Sequence, residues 1–386
     1  MVTAVKNNSV ADYIAIVIIL LMAAGTVFVF SASANVAQKL DLQHFYNFSA
    51  LRQILFFPLA CLVMYTASCF DYRRFSLAGG WLKSPVTYLL ALSIALLILT
   101  LIPGIGVEKN YARRWLEIPA GPISISFQPS ELAKWSIVFF LAGFCDKFRA
   151  DIRLYWKRFV PACIFIAVVV GLIITEDFGT AAFISLLGFL MLVIGGVKWW
   201  HVLTPLPFGL IAFYLALVCS PSRMSRIAAF LNPDEWASSA AYQANQSLIA
   251  LGSGGLWGKG LGRGICKYGH LPEDTTDFVF AIIGEELGFF GTVAVICLFI
   301  VFVWLGIIVI MRCRDNFGQF LAGGITLTIA IQAAFNIGVV TVVLPTKGIP
   351  LPFVSAGGTS MLLSAAAVGV LLSIAKQSAR ASTEDE

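Results

Sequence analysis

The chain has 386 residues, of which 59% are hydrophobic and only 12% charged, with a formal net charge of +5 and a mean hydropathy of +0.87. A soluble domain carries about 25% charged residues, so a soluble globular protein is excluded. The apolar residues also come in blocks long enough to cross a bilayer, for which roughly 20 residues are needed.

Ten such blocks are predicted, at 13–32, 52–70, 85–103, 127–144, 159–175, 178–195, 201–219, 278–311, 319–343 and 361–375. The tenth is short. The eighth is too long, reaching ~50 Å at about 1.5 Å per residue. It is expected to start in an outer loop region and to tilt or project, placing Glu285 and Glu286 near the interface. The first block is too long for a cleavable signal and has only Lys6 as a basic flank. One all-α, polytopic membrane domain over 1–386 is expected, ending in a flexible cytoplasmic tail, 376–386 (KQSARASTEDE). No internal repeat of the kind found in many secondary transporters is visible.

An even number of spans puts both termini on one side. The basic loops 71–84 (Arg73, Arg74, Lys83) and 145–158 (Lys147, Arg149, Arg153, Lys157, Arg158) make that side cytoplasmic. Arg113, Arg114, Arg223, Arg226, Lys259, Arg263, Lys267 and Lys347 then all fall on the outer side, where basic residues are normally scarce. They are either exposed loop charges or a basic surface for an anionic ligand, since Arg and Lys are the usual partners of phosphate. The eight cysteines show no CxxC or His-bracketed spacing that would suggest a metal site.

Four outer segments carry the remaining complexity. Gly and Pro mark 104–134 as an ordered loop that runs into a helix start at Pro129-Ser130-Glu131. Glu131 and Lys134 share a helix face, as a lock between helices or as a ligand-handling pair. Glu176 and Asp177, at a reversal between spans, cap the next helix or bind a cation. The loop 220–277 holds Gln243 and Gln246 and then a glycine-rich run, 252–264. Those glycines serve tight turns or let backbone N–H groups approach a phosphate. In 344–360 (LPTKGIPLPFVSAGGTS, with Ser355), three prolines and three glycines imply irregular backbone at membrane depth. Such backbone is tolerated only where it is packed in protein or lines a cavity.

The stretch 271–291, LPEDTTDFVFAIIGEELGFFG, brings Glu273, Asp274, Asp277, Glu285 and Glu286 to the mouth of the eighth block. Thr276 and Asp277 stand where that helix would take its N-cap.

Taken in order, RRWLEI…FQPSELAK (113–134), RIAAFLNP (226–233), YQANQSLIALGSGGLWGKGLG (242–262), LPEDTTDFVFAIIGEELGFFG and LPTKGIPLPFVSAGGTS resemble the SEDS family (shape, elongation, division and sporulation). GEELG and LPTKG look more like its division branch (FtsW-like) than its elongation branch (RodA-like). Three positions depart from the family pattern: Thr275 replaces a His, Ala356 a Tyr, and Thr175-Glu176-Asp177 a Gln-Pro-Asp. The resemblance implies a GT-C-like fold and a peptidoglycan glycosyltransferase that polymerises lipid II at the outer face of the bacterial cytoplasmic membrane, at the division septum.

It further implies Asp277 as the catalytic carboxylate and Arg113, Arg114, Arg223, Arg226 and Lys347 as candidates for the substrate diphosphate. Glu131, Lys134, Gln243, Gln246 and Ser355 are expected as supporting polar residues. A divalent cation (Mg or Mn) with unknown ligands is expected. The implied partners are a polyprenyl-diphosphate-linked glycan, a monofunctional class B penicillin-binding protein and other divisome membrane proteins, with no nucleic acid. The alternatives are a lipid II flippase, which would need a polar path across the bilayer, and a divisome scaffold without catalysis.

Overall fold

A computed structural model of the chain describes residues 9–33, 49–109, 112–120, 123–233, 235–236, 241–266 and 275–383. All ten apolar blocks are helical. They form α1 (Ser9–Ser33), α2 (Ser49–Cys69), α3 (Pro85–Leu101), α4 (Pro129–Lys147), α5 (Val160–Ile174) and α6 (Phe178–Ile194), followed by the pair α7 (Trp199–Leu203) and α8 (Leu206–Val218). After α9 (Pro221–Leu231) and α10 (Tyr242–Gly254) come α11 (Val279–Arg312), α12 (Asn316–Val340) and α13 (Gly358–Thr383). Among the described residues, seven helical spans are long and apolar enough to cross a membrane, while α3 and α6 are shorter apolar helices. The remaining block, α4, is buried along nearly its whole length. It tolerates Glu131 and Lys134 because it faces protein on all sides rather than lipid.

Lipid tails are as apolar as leucine, so helices in a bilayer associate by close packing and hydrogen bonds rather than by the hydrophobic effect. The pairing of α13 with α2 shows this. A Cβ at Gly369 would come within 2.4 Å of the Met64 carbonyl, and Ser373 Oγ donates to the Phe70 carbonyl at 2.6 Å. The contact continues past the expected end of the span. Lys376 Nζ reaches Ser68 Oγ at 2.9 Å, and Ser378 and Ala379 are buried. Residues 376–383 are therefore the last turns of α13 and not a flexible tail; 384–386 lie outside the described residues.

At the other end of the bundle, the expected ordered loop contains a three-stranded antiparallel sheet. It consists of β1 (Gly106–Lys109), β2 (Ala112–Ala120) and β3 (Ile123–Phe127), in the order β1-β2-β3. The pairing sets Glu108 opposite Arg113 and Leu116 opposite Phe127, with a register shift at Val107/Glu108. The Ile-Ser-Ile-Ser-Phe alternation of β3 has the period of a strand.

The overlong eighth block contains a break. Gly288 takes φ 68° and ψ −159° inside α11, so two helices meet there. Every residue from Val279 to Glu286 is buried, so Glu285 and Glu286 are enclosed by protein. The break frees backbone groups, and the glycine-rich run pairs with them. Lys259 N–H donates to the Glu285 carbonyl at 3.0 Å and Gly260 N–H to the Glu286 carbonyl at 2.9 Å. In return, Phe289 N–H donates to the Gly255 carbonyl at 2.9 Å. A Cβ at Gly258 would lie 2.2 Å from the Glu286 carbonyl oxygen, so glycine is required by this approach. The run is a collar for a broken helix.

Candidate active site

Asp277 lies just before α11, whose N-cap falls one residue later than expected, at Phe278, without a side-chain cap bond. The half-buried segment 275–277 is held by its neighbours. Asn336 Nδ2 on α12 donates to the carbonyls of both Asp277 and Ile349, each at 2.8 Å. One turn earlier, Gln332 Nε2 donates to the Pro350 carbonyl at 3.0 Å. Ala356 N–H donates to the Thr275 carbonyl at 2.9 Å, so two of the positions that depart from the family pattern touch each other through the backbone. A Cβ at Gly348 would stand 3.1 Å from Asp277 Oδ2, which places the carboxylate over the glycine of the last loop. Ser355 is buried and accepts from Leu351 N–H at 2.8 Å, closing that loop's turn, and it lines a small cavity with Gln332 and Ser360.

Beneath this surface, Lys134 Nζ donates to Glu131 Oε2 and to Gln332 Oε1, both at 2.8 Å. Ser360 Oγ donates to Glu131 Oε2 at 2.7 Å. The pair thus locks α4 to α12 and α13. It also lines a polar cavity of about 30 Å³ that is bounded by Gln128, Thr180, Gly348 and Pro350.

The basic candidates gather around the start of α6. Asp177 caps that helix, accepting from Thr180 N–H at 3.0 Å and Thr180 Oγ1 at 2.9 Å. Glu176 accepts from Arg113 N–H at 2.7 Å, and its carbonyl accepts from Arg114 Nε at 2.8 Å. Arg114 also lies 3.8 Å from Asp177, and Arg113 lies 3.5 Å from Glu108. The chain between α5 and α6 therefore pins β2 and its two arginines. Arg226 keeps contact with solvent, yet surrounding protein removes enough water to lower its basicity. Arg114 and Arg223 push the same way, while Asp277 and Asp177 oppose them. Arg226 is thus within electrostatic reach of Asp277 and of two other candidate cations. Loss of water also lowers Lys347 below the ordinary lysine range, partly offset by Asp177.

Other expected residues lie elsewhere. Gln243 and Gln246 are half-buried on α10. Glu285 accepts from Lys259 Nζ at 2.7 Å and Ile265 N–H at 2.8 Å, and Glu286 accepts from Ser31 Oγ at 2.7 Å. These acids and Lys259 stabilise the break in α11. Glu273, Asp274 and Lys267 lie outside the described residues. Among the described residues no group of three or more His, Cys, Asp or Glu could hold a metal ion. Gln332 and Asn336 were not anticipated from sequence, although two amides four apart in an apolar span share one helix face.

Fold and site together define a polytopic helical membrane protein with a charged, loop-built pocket at one end of its bundle. The family model described as "Cell cycle protein", covering FtsW, RodA and SpoVE, matches residues 11–380. Stage V sporulation protein E of Bacillus subtilis (strain 168) is 38% identical over 376 residues, spanning 97% of this chain and 99% of that protein. The probable peptidoglycan glycosyltransferase FtsW of Nitrosococcus halophilus (strain Nc4) is 40% identical over 361 residues, spanning 92% and 89%. Among solved structures, Thermus thermophilus RodA superposes with a TM-score of 0.65 at 25% identity, covering 94% of this chain and 96% of that one. A chain of a peptidoglycan synthase complex gives a TM-score of 0.72 at 23% identity, covering 95% and 97%, which shows the shared fold. The chain belongs to the FtsW/RodA/SpoVE family.

Proposed function

We propose that this protein is a peptidoglycan glycosyltransferase that polymerises glycan strands from lipid II at the outer face of the cytoplasmic membrane during division. The names carried by its relatives support this reading. The observation that carries it is the place of Asp277 over Gly348, next to Lys347 in the last loop, and within electrostatic reach of Arg226 on α9.

Chain growth joins the 4-hydroxyl of lipid II's N-acetylglucosamine to C1 of the sugar at the end of the growing strand. The hydroxyl gives its proton to Asp277 as its oxygen forms the new bond to C1. The bond from C1 to the diphosphate oxygen breaks, and the polyprenyl diphosphate leaves with the electron pair. Arg113, Arg114, Arg223, Arg226 and Lys347 supply positive charge for that leaving group. The bundle end that carries this site faces outwards, with both termini cytoplasmic. A class B penicillin-binding protein is the partner that cross-links the product.

The flippase reading is disfavoured by the placement of buried charge. Glu131, Lys134, Asp177, Glu285 and Glu286, the buried Asp, Glu and Lys residues among those described, all lie towards the site end. They are tied to one another or to neighbouring helices, and mark no path across the bilayer. Purified protein incubated with lipid II, with and without its cognate transpeptidase, should yield glycan polymer. Lipid II crossing a vesicle membrane without polymer would support the transporter instead.

A further inference from the structure

Phe178 opens α6 and carries no ionisable group, yet two cations from separate elements converge on its ring. Lys347 Nζ, from the last loop, lies 4.9 Å from the ring centroid, and Arg223 Cζ, from α9, lies 5.8 Å from it. Phe213 of α8 meets the same ring edge-on at 5.1 Å. The lysine stem runs beside the neighbouring Gly179, where a Cβ would sit in ordinary contact, 3.5 Å from Lys347 Cδ. Arg223 is aimed by two carbonyls, donating to Ala216 at 2.8 Å and to Thr175. Neither cation forms an ion pair among the described residues, although Asp177 is close enough to act on Lys347 through space.

This arrangement differs in kind from the other cations of the site. Arg113 and Arg114 are already paired with Glu108 and Asp177. A carboxylate holds a cation firmly, but it cancels the charge and must be displaced before an anion can use it. An aromatic face attracts the cation through the ring quadrupole and leaves its net charge intact. Lys347 and Arg223 are therefore ordered without an ion-pair partner among the described residues.

We propose that Phe178 is a positioning residue for the substrate diphosphate, its ring holding Lys347 and Arg223 together while leaving their charge free for the phosphates. This rests on the glycosyltransferase reading above and adds a residue to it.

The test places 3,4,5-trifluorophenylalanine at position 178 in the full-length protein, which drains the ring face without changing its shape, beside Phe178→Leu and Phe178→Tyr. The KM for lipid II should rise about threefold or more with the fluorinated ring and with Leu. It should stay near wild type with Tyr, and kcat and the melting temperature should change little with the fluorinated ring. An unchanged KM in the fluorinated protein would overturn the proposal, and so would a melting temperature that falls as KM rises. Affinity for inorganic diphosphate, measured on the same proteins, reads the site without polymerisation. A wild-type protein that forms no polymer but loses diphosphate affinity on fluorination would contradict the glycosyltransferase reading and keep this one. Equal diphosphate affinities would overturn this one alone.

Discussion

The side-chain amide of Asn336 donates to the main-chain carbonyl of Asp277 at 2.8 Å, so the proposed general base is fixed through its backbone by a membrane-buried helix. The same nitrogen donates to Ile349, which holds the base and the last loop in one register. Asn336 is 1% exposed, so Asn336→Ala leaves two carbonyls without this donor, at a cost of about 1–3 kcal/mol for each group left unsatisfied. Polymerisation should fall further than the loss of folded protein explains, because Asp277 and Lys347 lose their common reference. Melting temperature and turnover of the purified variant check this; wild-type values of both would contradict it.

A second prediction concerns the break in α11. Glu285 is fully buried, and Lys259 is its only ion-pair partner among the described residues. Removing one partner of a buried pair costs about 3–5 kcal/mol, and the partial exposure of Lys259 puts Lys259→Met at the lower end of that range. Glu285→Gln in the same background should recover part of the loss, since the amide needs no counter-charge. Thermal unfolding in detergent reads both. A double variant no more stable than Lys259→Met would mean that the ion pair does not matter to the collar.

Much of the fold was legible because bilayer spans announce themselves locally, through runs of apolar side chains. What escaped depended on single residues or distant partners. Gly288 looks like any glycine in an apolar run, and only the excess length of its block hinted that the helix divides there. The Gly and Pro residues of 104–134 suggested a loop, although β3 alternates Ile with Ser. Asp277 could be placed by its motif, but the role of Asn336 could not. A neutral amide scarcely lowers the hydropathy of a span, and its partners lie 59 and 13 residues away. The clustering of the outer basic residues was legible as an excess of charge. Its division into ion-paired and ring-held cations required three dimensions.

The pH dependence follows from Lys347. Loss of water holds its folded value below the ordinary lysine range, and so below its unfolded value. Between the two values the unfolded chain binds more protons, so this group's contribution to stability rises with pH. The positive charge needed by the diphosphate is lost over the same window. The KM for lipid II should therefore climb at alkaline pH before an ordinary lysine would titrate, without a matching fall in melting temperature. Lys347→Arg should move that climb to higher pH. An identical alkaline limb in the Arg variant would assign it to another group.

Orientation can be read with single cysteines in a background lacking the exposed Cys69, Cys219 and Cys297. Ile265→Cys, at an exposed position, should label from outside the cell, whereas Ala150→Cys and Arg380→Cys should label only from the cytoplasm. Burial pushes the neighbouring Cys266 thiol up to about 11, which keeps it quiet at neutral pH. Cytoplasmic labelling at position 265 would invert the topology and remove the site from the outer face.

The most direct test of the central claim is lipid II polymerisation by Asp277→Asn. Asn keeps the size of the side chain and its seat over Gly348 but cannot take the hydroxyl proton. Glycan synthesis should fall by on the order of 10²-fold or more, while expression, melting temperature and transpeptidase binding stay near wild type. Glu273→Gln and Asp274→Asn, which remove nearby charge, should retain activity. Near-normal polymerisation by folded Asp277→Asn protein would contradict the account.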